Sequence, residues 1–437
     1  MSALGNTTVT SEKIALAAQK FGAPFYLYDE QTILDRCHDV LRMPNAFGLN
    51  VSYAMKANSS RALLQIITGL GIDLDLSSIN EGKRAHLAGI PYSRMMLTTQ
   101  DIPFGQSRVD MQEMMLKGME YNVCSLRQLE LIADFAVAND IALSIRLHPG
   151  VGAGESVTRN TGDKYSCFGI HLSDIDKAIG LAKQKGVVFD QVHMHIGSGG
   201  EPELWRSNID RELSYVEQFF PDVKIVNLGG GFKEARMPDE KPADIQELGL
   251  YARKKFHEFF ERTGRKLVMA VEPGTYIVAN AGFLVTSVLD KKSTGEDGFN
   301  FVVADAGMEA NSRPLLYGSR HPFFVVSKSG TLLSSEFNLG DLYPEADYRV
   351  VVGRCCESGD SQSLDSHGHI IPRLMANPHV GDYLVIGGAG AYVSAMSLAN
   401  YNSYVRPAEV LLRTNGTFHV IRREETLEQM VENEVSL

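Results

Sequence analysis

Eight short apolar runs, spread over about 220 residues and separated mostly by helix-like stretches, constrain the fold more than any other feature of this chain. The runs fall near 50–54, 72–76, 94–97, 119–123, 141–147, 188–195, 223–228 and 267–272. Helical stretches at 61–69, 79–88, 106–116, 126–138 and 173–185 lie between most of them. In number and length this alternation predicts an α/β chain with a closed (β/α)8 barrel. An open doubly wound sheet is the competitor, but the glycine fingerprint expected in its first strand-to-helix turn is missing after residue 54.

From about residue 295 the period changes. Short runs at 301–303, 323–326, 349–352, 383–386, 410–412 and 419–421 are separated by turns rich in Gly, Asp, Asn and Ser. No long helix intervenes, so a second, all-β domain is expected. The aromatic run at 25–28 precedes the barrel and is free to pair with that sheet. The expected division is an N-terminal segment at 1–40 that partly joins the β domain, a barrel at 41–290 and a β domain at 291–437. A last helix is expected at 424–431.

With 437 residues, of which 44% are hydrophobic, there is ample core material for both. A net charge of -11 argues against nucleic-acid or anionic-membrane partners. Five cysteines at 37, 124, 167, 355 and 356 fit no disulfide framework or zinc spacing, which points to a reducing, cytoplasmic setting. The segment 1–10 is polar and lacks the apolar centre of a signal peptide. The longest uncharged run, 383–405, is too rich in Gly, Ser and Asn for a membrane span.

Active residues of a barrel collect where its strands end, and phosphate often sits after the seventh and eighth strands. Lys56 follows the first strand, in Tyr53-Ala54-Met55-Lys56-Ala57-Asn58. It is either a solvated surface lysine or an amine in a cleft, able to condense with a carbonyl. Asp75 ends the second strand. His193-Met194-His195-Ile196-Gly197-Ser198-Gly199 follows the sixth, and alternation puts His193 and His195 on one side. They are either core histidines or site residues. No acidic ligand stands near them in the chain, so no metal is expected. Asn227-Leu228-Gly229-Gly230-Gly231-Phe232 follows the seventh strand, and three glycines let backbone N–H groups approach an anion. Glu272-Pro273-Gly274-Thr275 follows the eighth, with a carboxylate able to pair with a cationic ring nitrogen. In the second domain, Cys355-Cys356-Glu357-Ser358-Gly359-Asp360 and Gly388-Ala389-Gly390-Ala391-Tyr392 are glycine-bearing turns with reactive groups. An amine, a ring-pairing carboxylate and a phosphate cradle on one face of one barrel are together what pyridoxal 5'-phosphate requires.

These motifs, with Arg313-Pro314-Leu315-Leu316-Tyr317-Gly318, make the chain resemble the fold-type III pyridoxal phosphate decarboxylases from about residue 21 to 432. That superfamily handles ornithine, diaminopimelate and arginine. The stretch 146–170, with Asn160-Thr161-Gly162 and Phe168-Gly169-Ile170, is similar to its diaminopimelate branch. The resemblance implies an alanine-racemase-like barrel with a β domain, and a homodimer with shared active sites. It implies an amino-acid decarboxylase of amino-acid biosynthesis, best matched by conversion of meso-diaminopimelate to L-lysine. It implies that Lys56 holds the cofactor, His195 stacks on its ring, Asp75 supports the lysine side and Glu272 meets the ring nitrogen. Ser198, Gly230, Gly231 and Tyr392 would hold the phosphate, Arg313 and Tyr317 the substrate, and Cys356 and Glu357 would enter from a second subunit. Lys56, Cys356 and His195 would be the catalytic set.

Two positions depart from the pattern. The family usually has arginine after Glu-Pro-Gly, where this chain has Thr275, and Cys167 stands where a basic residue is expected. Losing an arginine removes a bidentate anion clamp. Either Arg313, Arg320 or Arg354 substitutes, or the substrate is another diamino-acid derivative, such as a siderophore or polyamine precursor. An amino-acid racemase and a non-catalytic regulator that binds the cofactor are the readings from other classes. A racemase needs a second base, typically tyrosine, facing the lysine, and the cysteine turn fits that poorly.

Overall fold

The computed structural model describes residues 3–150, 164–197, 202–338 and 346–437, and these divide into two compact units. One comprises residues 36–234 and 242–276. Its strands are β1 (Leu49–Ala54), β2 (Asp73–Leu76), β3 (Met95–Leu97), β4 (Glu120–Val123), β5 (Leu143–His148), β6 (Phe189–Met194), β7 (Ile225–Asn227) and β8 (Val268–Val271). Each pairs in parallel with the next, and Met269 to Val271 pair with Leu49 to Val51, which closes the barrel. Every one of the eight apolar runs read from the sequence is a barrel strand. A two-residue strand, Ile170–His171, is added beside β5.

Local chemistry sets the helix ends. Ser78 and Ser125 accept hydrogen bonds from the backbone N–H groups of Glu81 and Gln128, capping helices Ile79–Leu87 and Leu126–Ala138. Asp244 does the same for helix Ile245–Thr263, which stops at Gly264 in the left-handed region. That helix joins β7 to β8, and helix Pro202–Phe219 joins β6 to β7.

The other unit comprises residues 1–35, 235–241 and 277–437. Its ten-stranded sheet centres on Phe25–Asp29, which pairs antiparallel with Gly282–Ser293 and parallel with Ala408–Leu412. The strand Gly282–Ser293 starts ahead of residue 291. Its first half pairs with Tyr383–Ile386, and after a register shift between Val288 and Asp290 its second half pairs with Asn300–Ala304. Helix Ser11–Phe21 covers a core that includes Ile14, Leu27, Phe283, Phe324, Val385 and Val410. Among the described residues no helix is long and apolar enough to cross a membrane.

Candidate active site

Lys56 lies in a single 3-10 turn, Met55–Ala57, at the carboxyl end of β1. Its side chain is 47% exposed, whereas its neighbours Met55 and Ala57 are buried. The backbone therefore anchors the turn and lets the amine project. Two contacts fix this turn to the end of β8. Ala54 N–H donates to the carbonyl of Pro273 at 3.1 Å, and a side chain at Gly274 would press on Ala54 and Ala57 at 3.2 Å. Lys56 Nζ lies 4.0 Å from Asp75 Oδ2 at the end of β2.

Glu272 is buried immediately after β8. Asn227, the last residue of β7, donates Nδ2 to Glu272 Oε1 at 2.8 Å. His193 Nε2 lies 3.1 Å from Glu272 Oε2, and because an ionised carboxylate only accepts, the imidazole is the donor. The acidic neighbour that sequence spacing did not reveal for His193 is thus supplied by β8. Burial pushes the Glu272 carboxyl up, but His193, His195 and Lys56 outweigh it and hold the group down at about 2. Asp75 goes the other way: burial, then the charge of Glu272, push it well above the usual carboxylate range, against the pull of Lys56. Two carboxylates share one buried place, and their surroundings push them in opposite directions.

His195, past the end of β6, accepts the Gly230 N–H on Nδ1 at 3.2 Å. Burial, then Arg146 and Lys56, drive its pKa well below the ordinary value, so the ring is neutral. Burial also lowers His193, against the pull of the Glu272 carboxylate. The triple glycine is required by close packing. A Cβ at Gly230 would fall 2.3 Å from the Glu272 carbonyl oxygen, and one at Gly231 would fall 2.4 Å from the Gly197 carbonyl oxygen. Gly229 and Gly231 also sit at φ 66° and 96°. Lys56, Asp75, His193, His195, Glu272 and the glycine turn thus meet at one end of one barrel. Ser198 lies outside the described residues.

In the second unit, Arg313 is almost fully buried, with its guanidinium 5.7 Å from the Tyr317 ring and 5.9 Å from the Tyr392 ring. Its Nη2 donates to Ser319 Oγ at 3.1 Å. Tyr392 is held at φ 57°, an uncommon backbone state for a tyrosine. The turn at 355–360 treats its two thiols differently. Cys355 is buried 3.4 Å from Glu309, and burial followed by the charges of Glu309 and Asp360 pushes its thiol far up. Asp360 accepts from the N–H groups of Cys355 and Met308 at 2.7 and 2.6 Å. Cys356 is exposed, and its N–H donates to Asn402 at 2.8 Å. Glu357 is exposed, and Gly359 N–H, then Ser358 and Tyr401, hold its carboxyl low.

Asn227 and Arg146 were not singled out by sequence reasoning. Asn227 is a polar strand end two residues before three glycines, and Arg146 is a charge inside a fully buried strand; each is a signal that could have been used. Arg146 is 7% exposed and lies 5.0 Å from the Phe168 ring.

The donor set fits pyridoxal phosphate. An ionised buried carboxylate suits a protonated ring nitrogen, a projecting amine suits an aldehyde, and the glycine turn leaves no room for side chains. Asp75 Oδ1 and His193 Nδ1 are buried with no hydrogen-bond partner.

Comparison with known proteins agrees. A family model described as pyridoxal-dependent decarboxylase, pyridoxal binding domain, matches residues 31–279. The diaminopimelate decarboxylase of Buchnera aphidicola subsp. Acyrthosiphon pisum is 30% identical over 442 residues, covering 98% of each chain. A crystal structure of diaminopimelate decarboxylase superposes with a TM-score of 0.87 at 27% identity and 98% coverage of both chains. The Helicobacter pylori diaminopimelate decarboxylase complexed with L-lysine gives a TM-score of 0.79 at 27% identity, over 96% of this chain and 98% of that one.

Proposed function

The chain belongs to the pyridoxal-dependent decarboxylases, and from that premise we propose that it converts meso-diaminopimelate to L-lysine, as a cytoplasmic homodimer. The observation that carries the reading is the meeting of Lys56, Asp75, charged Glu272 and the glycine turn at one barrel mouth. Full-length likeness to diaminopimelate decarboxylases, one of them holding L-lysine, supports the substrate.

When bound, pyridoxal phosphate supplies a ring that withdraws the electron pair of the breaking carbon–carboxylate bond. The residues of this chain prepare for that in distinct ways. Lys56 would hold the cofactor's aldehyde carbon, with Asp75 beside it. Glu272, kept anionic by His193 and Asn227, would hold a proton on the ring nitrogen and so keep the ring electron-poor. His195, neutral, would lie flat on the ring without competing for that proton. Gly230 and Gly231 would give N–H groups to the phosphate, with Ser198 and Tyr392 adding hydroxyls. Arg313 and Tyr317 would grip the far end of the substrate, and Cys356 Sγ, with Glu357 beside it, would deliver a proton to the carbon from a second copy of the chain.

Thr275 favours a second reading. Without an arginine after Glu-Pro-Gly, the substrate's distal group need not be a carboxylate, and another diamino-acid derivative becomes the alternative.

A substrate panel tests both. Meso-diaminopimelate, ornithine, lysine, arginine and citryl-conjugated diamino acids would be assayed for CO2 and product amine. The expected result is turnover of meso-diaminopimelate, abolished in Lys56→Ala. Turnover of the conjugates alone would replace the substrate, and Cα–deuterium exchange without CO2 would replace the reaction with racemisation.

A further inference from the structure

A hairpin of the second unit carries three metal-binding side chains that the proposed reaction does not use. Leu364 and Ile370 bridge antiparallel, and the tip between them reads Asp365-Ser366-His367-Gly368-His369. Asp365 Oδ1 accepts the N–H groups of His367 and His369 at 2.7 and 2.9 Å, so the carboxylate is pinned by the backbone it serves. Its other oxygen, Oδ2, lies 3.2 Å from His369 Nδ1 and 4.0 Å from His367 Nδ1. The two imidazoles stack with centroids 5.9 Å apart and planes 23° apart. The three ligand atoms all lie within 4.8 Å of one another.

The geometry points to a divalent transition-metal site of the zinc, nickel or copper kind, bound by Asp365, His367 and His369. Two neutral imidazoles and one carboxylate form the mixed nitrogen and oxygen set these ions take. Metal bonds of about 2.0–2.2 Å need the donors closer together than they stand here. The histidines are 76% and 77% exposed, so ordinary side-chain rotation closes that gap without moving the backbone. The backbone itself is braced. A Cβ at Gly318 would fall 2.2 Å from Ser366 Cα and 2.3 Å from the Asp365 carbonyl oxygen, so the tip rests directly on the turn after helix Arg313–Tyr317. Ile371 N–H closes the hairpin base on the Ser363 carbonyl at 2.8 Å.

The plainer reading is one surface pair between Asp365 and His369, with His367 turned to the Ser366 hydroxyl 3.3 Å away. That reading gives no reason for a second imidazole stacked on the first and facing the same carboxylate oxygen. Three protein ligands leave a coordination position open for water, as in zinc sites that are not closed. The inference stands apart from the cofactor chemistry, since none of the three residues belongs to the proposed active site.

Calorimetric titration of the full-length holoenzyme with Zn2+ and with Ni2+, after dialysis against a chelator, tests this. One ion per chain is expected at the hairpin. The His367→Ala/His369→Ala double variant should weaken it by at least about tenfold, with decarboxylation unchanged. Asp365→Asn, which keeps an acceptor for the two N–H groups but removes the charge, should weaken it too. Exposed Cys167 and Cys356 can bind zinc independently, so the difference between the native and variant proteins is the readout. Binding unmoved by these replacements, or no binding at all, would overturn the site.

Discussion

Glu272 keeps its charge in a place where burial alone would protonate it, and it does so by having His193 and Asn227 aimed at it. Glu212 shows the opposite outcome in the same unit. It is fully buried on helix Pro202–Phe219, and neither carboxylate oxygen has a hydrogen-bond partner. Burial, then the charge of Glu272, push its pKa well above 4.5. The folded chain therefore keeps a proton that the unfolded chain releases. The stability linked to that proton is fully present below pH 4.5 and is lost as pH rises through the raised folded value. Glu212→Gln cannot release it. Denaturant unfolding from pH 5 to 9 should show the native protein falling behind the variant by up to about 1.4 kcal/mol per pH unit within that window. Parallel curves would mean that Glu212 is charged in the fold.

Elements differed in how far they could be read in advance. The barrel strands were legible because each is a short run with apolar residues at its heart between longer helical stretches, and most are buried nearly throughout, as in Leu143–His148 and Phe189–Met194. The strand Gly282–Ser293 was not, since its second half, Asp290-Lys291-Lys292-Ser293, looks like a solvated turn and is exposed or half-buried even when paired. Leu332–Ser335 and Arg373–Met375 are too short and polar to signal themselves. The glycine turn was legible as a motif, but its need for glycine was not, because that rests on residues distant in sequence. This gives an elementary test. Gly230→Ala should cut kcat/KM by at least about tenfold, since the added methyl meets the Glu272 carbonyl. Gly180→Ala, in helix Ile175–Lys185 with nothing within 4 Å, should leave activity intact and raise stability by about 0.5–1 kcal/mol.

At the scale of the whole molecule, a barrel and a β sheet were both expected and both are present, and the aromatic run at 25–28 lies in the strand Phe25–Asp29 of that sheet. The proposed sharing of active sites between two copies has a direct consequence. Lys56→Ala and Cys356→Ala should each be inactive alone. Mixed after dissociation and reassociation, they should recover about a quarter of native activity, because half of the random dimers then carry one complete site of two. No recovery would place both residues in sites built by a single chain.

The pairing of Phe25–Asp29 with Ala408–Leu412 also bears on how the polypeptide is made. The segment at 25–29 leaves the ribosome long before the segment at 408–412 that covers its second edge. Until then an aromatic-rich ribbon stands open to any neighbouring chain. Nascent chains halted before residue 408 should accordingly be the form most dependent on chaperones.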